Sequence, residues 1–94
     1  MRLKDKVAVV TGAAQGIGAV YVKALAVEGA KTVIVDIKDC AKTEEAINTD
    51  VPDAEVMSYI CDIRDQTSVH DLVQKVVKKY GKLDILVNNA AIFA

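Results

Sequence analysis

The sequence is poor in the residues that covalent and metal chemistry use: it has one histidine and two cysteines. Cys40 and Cys61 do not form a Cys-x-x-Cys pair, and His70 stands at no metal-ligand spacing from either, which argues against a zinc site and against a redox dithiol. Both thiols are expected to be reduced and to pack as small hydrophobes. A surplus of one charge is also missing. Twelve basic and 13 acidic residues leave a formal charge of −1, so no long-range positive field gathers nucleic acid or an anionic membrane surface. Any anion must be held by local geometry. No apolar run is long enough for a membrane span or the core of a secretion signal, and the expectation is a soluble cytoplasmic protein. Repeats, low-complexity stretches and Pro/Gly/Ser linkers are likewise missing, so residues 1–94 are expected to form one domain around one core.

What is present is apolar sequence, 52% of residues, cut into short pieces. Residues 7–10 are a continuous apolar run ending in Thr11-Gly12, the pattern of a strand covered on both faces. Residues 17–28 place Ile17, Val20, Tyr21, Ala24 and Leu25 at helical spacing, with Gly29 as the stop. Residues 32–35 repeat the buried-strand signal and run into Asp36, and a polar stretch with Thr43, Glu44 and Glu45 predicts a short helix before Pro52. Residues 55–61 predict a third strand. Asp65 sits where an N-cap belongs, and Val69, Leu72, Val73, Val76, Val77 and Tyr80 make a helical stripe closed by Gly81. Residues 85–87 predict a fourth buried strand running into Asn88-Asn89. Strands and helices thus alternate. Parallel strands need crossovers, so the simplest architecture is an α/β, doubly wound parallel sheet with strand order 3-2-1-4, a Rossmann-like half whose α/β/α layering is incomplete on one side.

The segment Thr11-Gly12-Ala13-Ala14-Gln15-Gly16-Ile17-Gly18 joins the first strand to the first helix, where a parallel sheet presents a phosphate site. Gly12 can take angles that a side chain opposes, Gly16 lets the main chain approach a diphosphate, and Gly18 lets the helix press on the strand. The helix N-terminus supplies unpaired N–H groups and about half a positive charge, so no lysine is required. Glycines alone would equally close a tight turn. The buried strand before them, the helix after them and the acidic residue ending the next strand favour dinucleotide binding. Asp36 lies about 20 residues beyond the turn, where a carboxylate accepts the adenosine ribose hydroxyls. A 2′-phosphate there would meet a like charge, so NAD(H) is expected over NADP(H), with Lys38 as the one nearby cation that softens the discrimination.

The Gly-x-x-x-Gly-x-Gly spacing preceded by Thr11, Asp62-Ile63 after the third strand, and Asn88-Asn89-Ala90 after the fourth together resemble the short-chain dehydrogenase/reductase family. The resemblance runs from Leu3 to the C-terminus and corresponds to a little under half of a usual family member. It implies that the chain is the NAD(H)-binding part of an oxidoreductase that moves hydride between a nicotinamide cofactor and an alcohol or ketone. The residues it implies for the cofactor are Gly12, Gln15, Gly16, Ile17 and Gly18 at the turn and Asp36 and Ile37 at the ribose. Asp62 and Ile63 would lie at the adenine, and Asn89, Ala90 and Ala91 beside the cofactor ribose. Two positions depart from the family pattern: Ala91 stands where Gly is common, and Ala19 where an Arg is frequent.

The family's Tyr-x-x-x-Lys pair, in which a tyrosine acts as general acid or base beside a lysine, has no counterpart. Four residues after Tyr21, Tyr59 and Tyr80 stand Leu25, Ile63 and Asp84. All three tyrosines are expected to pack, Ser58 and Ser68 to pack or cap, and His70 and Lys78-Lys79 to face solvent. The resemblance therefore implies a cofactor-binding module without turnover. The alternatives are an enzyme completed by another chain or oligomer, and a structural fragment without useful cofactor affinity. An open fourth-strand edge and the apolar Ile92-Phe93-Ala94 predict self-association.

Overall fold

The computed structural model describes residues 2–14 and 16–88. The elements follow in the order β1 (Val7–Thr11), α1 (Gly16–Val27), β2 (Lys31–Asp36), α2 (Ala41–Asp50), β3 (Val56–Ile60), α3 (Gln66–Tyr80) and β4 (Ile85–Asn88). The strands form one sheet in the order β3-β2-β1-β4, and every neighbouring pair is parallel. The doubly wound architecture and the 3-2-1-4 order expected from the alternation are therefore what the chain adopts.

The two-residue period of β1 and β2 divides the core between the two faces of the sheet. Val7, Val9, Val33 and Val35 point to one face and meet Cys61 and the buried Leu72 and Val76 of α3. Val10 and Ile34 point to the other and meet Ala13, Val22 and Ala26 along α1 and Cys40 and Ile47 at α2. Every β1 residue is buried, and each fully buried valine contributes about 1.5–3 kcal/mol. The β1–β4 register is locked at its start by one residue. Asp84 donates its N–H to the Val7 carbonyl at 2.9 Å, and its carboxylate accepts the Val7 N–H at 2.9 Å.

Helix α3 matches its sequence signals closely. The Asp65 carboxylate accepts the N–H groups of Thr67 and Ser68, and Gly81 closes the helix in the left-handed region at φ 81°. Of its apolar stripe, Leu72 and Val76 are buried, whereas Val73 and Val77 are 40% and 42% exposed on the flank turned from the sheet.

Two other expectations are corrected. In α1 the face toward the sheet is Gly18, Val22 and Ala26. The anticipated Ile17, Val20 and Tyr21 are 64%, 65% and 43% exposed, so Tyr21 is not a packing residue. The helix is apolar nearly all round, which leaves periodicity unable to choose a face; the small side chains four residues apart choose it, because they let the helix axis approach the strands. The second correction concerns β4, which is not a buried strand: Ile85 and Val87 are half-buried and Leu86 is 63% exposed. Among the described residues β4 is paired on one side only, by β1.

Among the described residues, the Thr32 hydroxyl is buried without a hydrogen-bond partner in the middle of the sheet. An unsatisfied buried hydroxyl costs about 1–3 kcal/mol, and valine has nearly the same shape. Thr32→Val should therefore raise stability by about 1 kcal/mol, read as a higher urea midpoint at unchanged slope. A lower midpoint would mean that the hydroxyl does find a partner.

Candidate functional site

Because all four strands are parallel, their C-terminal ends lie along one edge, and the residues singled out in the sequence fall there. Gly12 follows β1, Asp36 ends β2, Asp62 follows β3 and Asn88 ends β4. Main-chain and side-chain bonds tie these ends together. The Cys61 N–H donates to the Asp36 carbonyl at 2.9 Å, and the Thr11 hydroxyl donates to the Asn88 side-chain oxygen at 3.2 Å. Gln15, Asn89, Ala90 and Ala91 lie outside the described residues.

The turn after β1 is held open by its backbone. Gly12 and Gly16 have φ values of 65° and 66°, in the left-handed region that suits glycine. A side-chain carbon built on Gly16 would meet nothing within 4 Å among the described residues, so the side of Gly16 where a side chain would stand is open. Gly16 and Ile17 are exposed, whereas Gly18 is buried on the face of α1 that packs toward the sheet. The first turn of α1 carries no acidic residue that would compete with an anion for its free N–H groups.

Asp36 links this turn to the end of β2. One carboxylate oxygen, Oδ2, accepts the Ala14 N–H at 3.0 Å, and the other, Oδ1, accepts the Lys38 N–H at 3.0 Å. A carboxylate has about four lone-pair directions, so the group can still accept two hydroxyl donors while holding the turn. On the other side of the turn, the Ala14 carbonyl accepts the Thr43 hydroxyl from α2 at 2.9 Å. The reading of the sequence missed both the Ala14 tie and Thr43. Thr43 and Ile47 are spaced four apart and form the buried face of α2, a pattern that would have turned Thr43 toward the sheet.

The neighbouring positions are more open. Ile37 is 56% exposed, and Ile63 is half-buried. The Asp62 carboxylate is engaged by Arg64 through a two-pronged contact, Nε to Oδ1 and Nη2 to Oδ2, each at 2.9 Å. The Arg64 N–H adds a bond to Oδ1 at 3.0 Å. A ligand group approaching Asp62 must share it with that guanidinium.

Little here serves as a nucleophile. Cys40 and Cys61 are free and buried. Burial, with Asp36, Asp39 and Glu44 adding to it, pushes the Cys40 thiol up to about 11, and burial also raises Cys61. Ser68 donates its N–H and its hydroxyl to the Asp65 carboxylate that caps α3, Ser58 donates to Glu44, and His70 is exposed. Among the described residues, no cluster of histidine, cysteine and carboxylates has the makings of a metal site.

The hydrogen bonds from the Arg64 side chain and backbone hold the Asp62 carboxyl down to about 2. Because the folded value is depressed, the Asp62–Arg64 contact persists as pH falls and is lost only as pH passes below about 2. Carbon-detected NMR titration should place the Asp62 midpoint there, and Arg64→Ala should move it up toward the ordinary value of about 3.9. A wild-type midpoint already at the ordinary value would contradict the contact.

The description "short chain dehydrogenase" belongs to the family model that matches residues 6–94. The 15-hydroxyprostaglandin dehydrogenase [NAD(+)] of Bos taurus is 43% identical over 94 residues, covering 98% of this chain and 35% of that protein. A short chain dehydrogenase from Mycobacterium paratuberculosis solved with NAD superimposes with a TM-score of 0.89 at 28% identity, covering 100% of this chain and 40% of that one. A metagenomic short-chain oxidoreductase solved with NADP gives a TM-score of 0.85 at 31% identity, covering 98% and 42%. The chain thus spans about a third of the length of the curated relatives it matches. With the family model matching residues 6–94 and a relative 43% identical over 98% of the chain, the chain belongs to the short-chain dehydrogenase/reductase family.

Proposed function

We propose that this chain is the NAD(H)-binding domain of an oxidoreductase whose parent activity is hydride transfer between a nicotinamide cofactor and an alcohol or ketone. The observation that carries the reading is the tie between the glycine turn and the end of β2, where the Asp36 carboxylate accepts the N–H of Ala14, which lies between the positive-φ glycines Gly12 and Gly16. In this reading the diphosphate rests on the N–H groups at the start of α1, with Gly12, Gln15, Gly16, Ile17 and Gly18 shaping the turn. Asp36, beside Ile37, accepts the adenosine ribose hydroxyls. Asp62 and Ile63 flank the adenine, and Asn89, Ala90 and Ala91 run beside the nicotinamide-side ribose. When bound, the cofactor supplies the hydride acceptor; what this chain does is bind and orient it.

Solved relatives include structures that hold NAD and one that holds NADP, so the choice rests on Asp36. At an effective dielectric near 20, unit charges ~4 Å apart repel by ~4 kcal/mol before screening, which disfavours a 2′-phosphate. The free, buried Cys40 and Cys61 suit a reducing compartment such as the cytoplasm; among the described residues, no helix is long and apolar enough to cross a membrane. Residues 1–94 act in this reading as a single binding domain. No described tyrosine is followed by lysine four residues on, so the general acid or base has to come from other residues or another chain.

Calorimetric titration should give heat with NAD and at least about tenfold weaker binding with NADP. Asp36→Ala should abolish the preference and also weaken NAD, because the Ala14 N–H loses its acceptor. Equal binding of both cofactors by wild type would remove the NAD assignment, and no heat with either would leave a scaffold only.

A homo-oligomer is the second part of the proposal, supported by the 63% exposure of Leu86 and by β4 having β1 as its one strand neighbour among the described residues. Light scattering over a dilution series should show a dimer that dissociates at low concentration. Leu86→Lys should shift it to monomer at every concentration, and a wild type that stays monomeric throughout would contradict the proposal.

A further inference from the structure

The turn between β1 and α1 is fixed at two successive residues by three bonds from other elements. The Ala13 N–H donates to the Val35 carbonyl at 3.2 Å. The Ala14 N–H donates to Asp36 Oδ2 at 3.0 Å, and the Ala14 carbonyl accepts the Thr43 hydroxyl at 2.9 Å. Ala13 is fully buried, in the same cluster as Ile47. On either side stand Gly12 and Gly16, both at positive φ. Ala13 and Ala14, which lie between two conformationally permissive residues, are therefore pinned from β2 and from α2.

Thr43 is the member of this set that belongs neither to the turn nor to the strand ends. Its residue is 6% exposed, and its hydroxyl is anchored because Thr43 and Ile47 form the buried face of α2. A hydroxyl on a packed helix face has few other places to go, so it fixes one side of the Ala14 residue while Asp36 fixes the other. We infer that Thr43 is a positioning residue for the cofactor: its bond to the Ala14 carbonyl holds the glycine turn in the form that receives the diphosphate, and couples α2 to that turn. The inference rests on the proposed NAD(H) site. Residues that a ligand must order for itself subtract from its affinity, whereas a turn ordered beforehand does not.

Thr43→Val keeps the volume and removes the donor; Thr43→Ser keeps the donor. In the full chain, NAD binding followed by calorimetry should weaken about five- to tenfold in Thr43→Val and stay within about twofold of wild type in Thr43→Ser. Amide hydrogen exchange without ligand gives a second readout. The Ala14 amide should exchange faster in Thr43→Val, while the Leu72 and Val76 amides of α3 keep their wild-type rates. If Thr43→Val fails to fold, Thr43→Ala set against Thr43→Ser carries the same comparison. A wild type that binds NAD while the donor-less variant binds it equally well overturns the role of Thr43 and leaves the site standing. A wild type that binds no NAD overturns the site and this role together.

Discussion

The constraint on which everything else rests is the parallel pairing of β1 between β2 and β4. A parallel pair cannot be closed by a tight hairpin, so every connection must cross over, and here each crossover carries a helix. Two consequences follow at once. The helices cover the sheet faces, which is why β1 and the middle of β2 are apolar without alternation. And all four C-terminal strand ends are delivered to one edge, where the chain turns toward solvent and its backbone groups are left for other partners. The site is a product of topology before it is a product of side chains.

At that edge the chain satisfies some of its exposed backbone groups itself and leaves others open. The Ala13 N–H and both backbone polar groups of Ala14 are engaged by β2, Asp36 and Thr43, while a side-chain carbon built on Gly16 would meet nothing within 4 Å among the described residues. The division is physically sensible. A turn whose whole backbone were free would have to be ordered by its ligand, and a turn whose whole backbone were satisfied would bind nothing. Asp36 belongs to both halves, since its carboxylate holds Ala14 and keeps lone-pair directions for further donors. The dinucleotide reading asks those directions to receive the ribose.

Much of this was legible in the order of residues. Strand and helix alternation carried the sheet order, the Asp65 cap and the Gly81 stop bounded α3, and the glycine spacing with Asp36 located the edge that matters. The misreadings have definite causes. Helix α1 is apolar on all sides, so its small residues Gly18, Val22 and Ala26, not its large ones, decide which face meets the sheet. Strand β4 reads as buried because Ile85, Leu86 and Val87 are all apolar, yet among the described residues it pairs with β1 alone and Leu86 stays exposed, as the open edge expected of it implies. Thr43 was hidden because its partner, the Ala14 carbonyl, is 29 residues away and carries no side-chain signature.

The central claim, that a dinucleotide diphosphate rests on the backbone at the start of α1 with its ribose at Asp36, is tested most directly by amide chemical-shift mapping of the full chain during titration with NAD. The account predicts the largest shifts at Gly12, Gly16, Ile17 and Gly18, followed by Asp36 and Ile37. Shifts confined to the groove between α1 and α2, at Ala19, Lys23, Ala46 and Asp50, with the turn amides unmoved, would contradict it.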